Sequence, residues 1–281
     1  MWIALFANLI SNTGYSIVAR RTFNRMNVDP LFLAAIGATG VALPGIPGLF
    51  IAKINWAVYD LRLILIFAAS IIAAMLFHFI NAKALEYTEA SVFSILYNFQ
   101  IGFATWIGIA ILGETIVPLR VLGGVLVFAA GFVLTNKYTA RPAGVFFSVS
   151  TAFLIVVLTA FDKYMIAEIG YAGYVFPAKI IAALSMWAVV YFGKRPINVD
   201  FVKSRWCPAV MLFRFGGAYG VMLALALGAL LSVSTYIMSL NCVTTPIAAY
   251  FLLKETDAPI RKAIAATIAV AGVTLIFFAS Q

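Results

Sequence analysis

The sequence predicts an all-α membrane protein, with ten transmembrane helices arranged as two five-helix repeats of inverted topology. Three observations predict it. Apolar residues make up 64% of the 281 residues and charged residues only 10%, whereas a soluble domain carries roughly 25% charged residues. Runs of about 20 apolar residues recur along the chain, each long enough to cross the hydrocarbon core as a helix. Finally, one stretch occurs twice. Leu112–Leu134 reads LGETIVPLRVLGGVLVFAAGFVL, and Leu253–Leu275 reads LKETDAPIRKAIAATIAVAGVTL. Leu112, Glu114, Thr115, Pro118, Arg120, Ala130, Gly131 and Leu134 recur as Leu253, Glu255, Thr256, Pro259, Arg261, Ala271, Gly272 and Leu275. Ser91 and Val92 recur at the same spacing as Ser232 and Val233. A repeat of half the chain sets the architecture, and it divides the sequence into residues 1–140 and 141–281.

The elements follow in order. Spans are expected near 2–20, 30–52, 61–82, 89–112 and 118–136 in the first half, and near 143–166, 171–192, 207–228, 231–253 and 259–279 in the second. Asp29-Pro30, Pro118, Arg141-Pro142, Lys194-Arg195-Pro196, Pro208 and Pro259 mark breaks between them. Pro44 and Pro47 fall inside the second span, where a missing N–H and a ring clash kink a helix or end it. Pro118 and Pro259 suit the first helical position, which needs no donor. Glu114 and Glu255 lie just before those helices, where the dipole favours negative charge, and Arg120 and Arg261 follow at a distance that permits a local ion pair. Five spans per half is an odd number, so the second half enters the membrane from the opposite side. That inverted repeat is the usual frame for alternating access around a midplane site.

The net charge of +9 is spread over loops, which suits membrane orientation rather than nucleic-acid binding. Thirteen Lys and Arg residues fall on one side of the ten spans and four on the other; the positive-inside rule then puts both termini outside. Cys207 and Cys242 have no metal-type spacing and read as small core residues. The chain has one histidine and no HExxH, Walker A or GxSxG string. Enzymatic activity, a cofactor and coupling to ATP are therefore not expected, and any transport is driven by a gradient or by exchange.

Two turns carry a family resemblance: LGET after the fourth span and LKET after the ninth, each followed by a helix that ends in an Ala-Gly-apolar run (AAGFVL, VAGVTL). With Leu85–Ser91 leading into the fourth span, the chain resembles the ten-helix EamA-like branch of the drug/metabolite transporter superfamily. The resemblance implies a bacterial or archaeal plasma-membrane transporter of small organic molecules, often an exporter of amino acids or metabolites. It implies a cavity lined by helices one, three, four, six, eight and nine. It also implies cytoplasmic termini, against the charge count. Many relatives carry a basic residue in the middle of helix two. Here that position, Ile36–Gly37, is uncharged, and its counterpart in helix seven is Lys179.

Ionisable groups inside spans point to sites, because inserting one costs about 2.5–3.5 kcal/mol on translocon scales. Lys179, Arg214 and His78 are substrate-binding candidates on this ground. Asp162 is a candidate for proton coupling, although Asp162 and Lys163 also read as an interfacial pair, and Lys179 as a partner of Asp162. Uncharged polar groups near the midplane add Asn12, Tyr15, Tyr97, Asn98, Gln100, Tyr236 and Asn241. Amides in lipid need partners and so face the bundle interior. Amides, tyrosines and few acids suit a small zwitterion or anion, with neutral or aromatic amino acids the best match. The expected partners are the lipid bilayer and a small-molecule substrate. The competing readings are a membrane scaffold or accessory subunit with a degenerate transporter fold, and a lipid-modifying enzyme.

Overall fold

The computed structural model describes residues 2–51, 60–112, 117–134, 141–227 and 238–279, and every regular element among them is an α-helix. Helix α1 spans Trp2–Met26, α2 Pro30–Ala42 and α3 Gly45–Ile51. Helix α4 spans Leu61–Tyr87, α5 Ala90–Tyr97, α6 Phe99–Leu112 and α7 Pro118–Leu134. Helix α8 spans Pro142–Phe192, α9 Val199–Lys203, α10 Trp206–Ala226, α11 Asn241–Leu252 and α12 Pro259–Phe278. Six stretches are long and apolar enough to cross a membrane: 2–26, 30–51, 61–87, 142–192, 206–224 and 259–278. The chain is an integral, multi-pass membrane protein.

Helix ends follow the punctuation. The Asp29 carboxylate accepts from the N–H groups of Leu31 and Phe32, 2.9 and 3.1 Å away, and so starts α2 at Pro30. Asp60 does the same for α4 through the Leu63 N–H at 2.7 Å. Pro118 and Pro259 open α7 and α12. Pro44 ends α2 early, and the chain resumes as α3 at Gly45. Helix α1 runs on to Met26, past the expected end near 20, so Arg20, Arg21 and Arg25 lie on a helix rather than in a loop.

The 51-residue α8 is a hairpin of two legs. Gly170, at φ 76° and ψ 163°, breaks the helical geometry, a conformation open to glycine at no steric cost. Helix α4 records the fold-back. Its residue Leu63 packs with Met165 and Tyr174, and further along, Ala74 and Phe77 pack with Leu158 and Ala182. One leg therefore runs against α4 and the other along it. Helix α2 packs on the second leg: Phe32 meets Trp187 edge-on at 5.7 Å, and Trp187 Nε1 donates to Thr39 Oγ1 at 2.8 Å.

Interhelical contacts depend on small residues, which let backbones approach where no hydrophobic effect pulls helices together. Helices α1 and α10 meet where Ser11, Asn12 and Asn8 lie over Gly216, Gly217 and Gly220. Helices α7 and α12 cross at Gly123 and Gly272, where an added Cβ would sit 2.5–2.6 Å from the other's carbonyl oxygen.

One end of the bundle is tied by charge. Glu255 accepts from the N–H groups of Ala90 and Ser91 at 2.9 and 3.1 Å and from Ser91 Oγ at 2.7 Å, which caps the N-terminus of α5. The local pairing expected with Arg261 is not made: both carboxylate oxygens serve another helix, and Arg261 is exposed. Lys262 is buried and pairs with Glu89 at 2.5 Å. Burial pushes the Glu89 carboxyl above its ordinary value; the Lys262 ammonium opposes the rise, and Glu255 and Asp257 add to it. Arg20 donates to the Leu85 and Glu86 carbonyls at 3.1 and 2.7 Å, closing the C-terminal end of α4.

The α7–α12 crossing is testable. Gly123→Ala is expected to lower the Tm of the purified protein, by overpacking worth about 1–3 kcal/mol. Gly124→Ala, whose nearest neighbour would be a side-chain nitrogen at 3.5 Å, is expected to leave it unchanged. Equal melting of both variants counts against a tight crossing.

Candidate functional site

Three polar groupings sit among the apolar helices. The first is built on Arg214 of α10, which is 7% exposed. Its guanidinium lies 3.6 Å from the centroid of the Tyr15 ring of α1 and 5.6 Å from that of Phe77 of α4. Arg214 Nη2 donates to Asn81 Oδ1 of α4 at 2.7 Å. Its stem passes over Gly37 of α2, where a Cβ would lie 3.2 Å from Arg214 Cγ. Thus the uncharged position in helix two is where a guanidinium arrives from α10. His78 lies one turn from Asn81 on the same face of α4, and the charges of Arg214 and Lys179 both act on it.

The second grouping is Asp162, Lys179 and Tyr174, all on the two legs of α8. The Gly170 hairpin brings them together. Tyr174 donates to Asp162 Oδ1 at 2.6 Å, and Lys179 Nζ lies 3.6 Å from the same oxygen. Asp162 and Lys179 are both buried. The interfacial pair with Lys163 is not formed. Lys163 is exposed, because the next residue on a helix faces about 100° away, while Asp162 turns inward to Lys179.

The third grouping is a seam of amides and hydroxyls. Asn98 interrupts what was expected as one span, separating α5 from α6. Its Nδ2 donates to the Ser239 carbonyl at 3.0 Å, and these two residues are 141 apart. Asn12 Nδ2 donates to Asn8 Oδ1 at 3.0 Å, and Asn8 Nδ2 donates to the Gly217 carbonyl. Thr13 Oγ1 donates to Asn241 Oδ1 at 2.9 Å and is 2.8 Å from Thr244 Oγ1. Gln100 is buried with Nε2 unpartnered.

The structure thus joins Tyr15 and Arg214, with His78 against Phe77 and one turn from Asn81, both of which meet Arg214, and brings Asp162 and Lys179 into a second grouping. Tyr97 stacks on Phe93 at 5.5 Å. Asn12, Asn98 and Asn241 join helices of the two halves directly or through Asn8. Tyr236 lies outside the described residues, as do Glu114, Thr115, Ser232 and Val233. Sequence reasoning missed Asn81, Tyr174 and Thr13. Asn81 was findable by the rule that selected Asn98, an amide inside an apolar run. Tyr174 was not, since tyrosines recur throughout the chain.

The model of the EamA-like transporter family matches residues 1–136. Just under half of the chain is thus similar to the EamA-like transporter family, which lies within the drug/metabolite transporter superfamily. The matched family is one of membrane transporters of small molecules. A solved structure described as "Crystal structure of protein" superposes with a TM-score of 0.64 at 13% identity, covering 97% of each chain. The shared fold therefore runs past the matched segment into the second half. No curated protein sequence matches the chain.

The Asp162–Lys179 pair yields a stability prediction. Lys179→Met leaves a buried carboxylate with only Tyr174, and removing one partner of a buried pair costs about 3–5 kcal/mol. A lower Tm is expected for Lys179→Met, with recovery in the Asp162→Asn/Lys179→Met double variant. Unchanged melting of the single variant would mean that the pair is not formed.

Proposed function

We propose that the chain is a secondary transporter, an exporter or exchanger of small organic metabolites, with neutral or aromatic amino acids as the leading substrates. Transport proceeds by alternating access around a midplane site between residues 1–140 and 141–281. The observation that carries this reading is the Arg214 cluster, an ionised group held between α10 of one half and α1 and α4 of the other. Intramembrane charges mark substrate and ion pathways by default. Asp162, joined to Lys179 and Tyr174 beside this cluster, is the candidate coupling group.

The packing supports two halves related by inversion. Helix α1 packs against α10, and a shift of 141 residues turns that pair into the first leg of α8 against α4, a contact also present. Helices α7 and α12, equivalent under the same shift, pack on each other. Asn98 and Ser239, also equivalent, touch, as expected of residues on a pseudo-two-fold axis. Asn98 lies at the break between α5 and α6 and Ser239 next to the turn at Leu240, and transporters use such breaks at midplane binding sites.

Counterflow in proteoliposomes tests the function. Labelled phenylalanine or leucine is expected to accumulate against trapped unlabelled amino acid, and Arg214→Met to lose most of that flux. Absence of counterflow with every neutral amino acid, together with competition by cations or sugar phosphates, would overturn the substrate assignment. Inverted topology has a separate test. Single cysteines at Glu114 and Glu255, with Cys207 and Cys242 replaced, should react with an impermeant thiol reagent from opposite faces. Reaction from one face sinks the inverted repeat.

A further inference from the structure

We infer that Arg214, with Tyr15 and His78, forms a site for a single carboxylate, and that its ligand is a monocarboxylate anion with an apolar or aromatic body that needs no ammonium group. This rests on reading the Arg214 cluster as the transport site, and it names the chemistry the site selects.

The argument begins with an unbalanced charge. Arginine stays protonated in proteins, so Arg214 brings a fixed positive charge into the apolar core. Among the described residues no carboxylate answers it. Asp162 is taken by Lys179 and Tyr174. Glu86, Glu89 and Asp29 pair with Lys83, Lys262 and Arg195. Glu255 caps α5 and Asp60 caps α4. Glu168, Asp200 and Asp257 are exposed. Glu114, the one remaining acid in the sequence, lies outside the described residues. The partners Arg214 does have are a neutral amide and the faces of aromatic rings. Its Nε carries no hydrogen bond.

Two further polar atoms in the same cluster are also buried and unpartnered: Tyr15 Oη and His78 Nδ1. Tyr15 is 3% and His78 8% exposed. Tyr15 bears the ring on which the guanidinium lies, and His78 shares the face of α4 that presents Asn81. Buried polar groups without partners are rare enough that each calls for an explanation. One on the uncompensated cation itself and two near it have a common one, an anion with two acceptor oxygens. A carboxylate accepts from a guanidinium and from a phenolic O–H together. The Tyr15 and Phe77 rings offer its body an apolar wall. No free acid among the described residues is placed to receive an ammonium, so a zwitterion gains nothing from its positive end.

Thermal unfolding of the full chain, purified in detergent, tests this with three ligands of one shape: 3-phenylpropionate, phenylalanine and phenethylamine. 3-Phenylpropionate is expected to raise the Tm with concentration, phenylalanine to do so no better, and phenethylamine, which lacks the carboxylate, to have no effect. Asn81→Asp places a carboxylate against Arg214 at an existing hydrogen-bond distance. That variant is expected to melt higher without ligand and to bind 3-phenylpropionate more weakly by roughly ten-fold or more. A structural role for Arg214 predicts the higher melting but no change in ligand response. The proposal is overturned if 3-phenylpropionate gives no shift, if phenethylamine shifts as well, or if Asn81→Asp responds like the unmodified chain. A shift by phenylalanine alone overturns it too, by requiring the ammonium, and leaves the amino-acid reading standing. A shift by 3-phenylpropionate in a protein that shows no amino-acid counterflow supports the site and overturns that reading instead. The ligand series on the unmodified chain decides the matter whether or not the variant folds.

Discussion

Hydrocarbon offers no hydrogen-bond partner, so each polar group within the span must find one in the protein, and this constraint arranges most of what is specific here. Hydroxyls meet it cheaply. Thr22, Ser148 and Thr151 donate to the carbonyl four residues back in their own helix and so commit to no neighbour. Amides have two donors and two acceptor sites, more than one helix turn supplies. Asn8, Asn98 and Asn81 therefore reach across to Gly217, Ser239 and Arg214. Asn8, Asn81 and Asn98 mark the interface between the halves for this reason, with Thr13 and Thr244 bonded across it beside Asn241.

The same constraint explains the glycines. A side chain can bond a backbone carbonyl on another helix only if the helices come close. Gly217 and Gly220 let α10 settle onto Asn12 and Asn8 of α1, and Gly37 admits the stem of Arg214. Packing and polar satisfaction are thus one arrangement. At the end of the bundle water is near, and the logic changes to fixed charge. Glu255 and Asp60 cap helix N-termini, and Arg20 closes a C-terminus, where backbone groups have no partner within their own helix.

Much of this was legible in the sequence, because hydropathy and proline placement act locally. The starts of α2, α7 and α12 fall on Pro30, Pro118 and Pro259, and the break after Ala42 follows from Pro44. The family resemblance read from LGET and LKET agrees with the matched segment 1–136. Partner choice was less legible. Glu255 looked like a cap for its own helix and instead serves α5, because only the tertiary fold brings Ala90 and Ser91 to it. Asp162 was paired by proximity in sequence with Lys163. The Gly170 hairpin supplied Lys179 from seventeen residues away, although that pairing was among the readings open for Lys179. The partners of Arg214 lie on α1 and α4, at separations that no local pattern encodes.

The two buried cations differ in a way that bears on mechanism. Lys179 has its counterion within its own half, on the other leg of the same hairpin, so their attraction survives any rigid movement of one half against the other. Arg214 is held by residues of the opposite half, through an amide and an aromatic face, both weaker than an ion pair. A rocking motion between halves would strain the Arg214 contacts and leave the Asp162–Lys179 pair intact. Under alternating access as proposed, charge that accompanies a moving half would thus be neutralised within it, and charge that responds to a ligand left open at the seam. On the transporter reading proposed above, Arg214 would be the group whose environment changes with the substrate, and the Asp162–Lys179 pair the group whose environment changes only when a proton or an ion enters it.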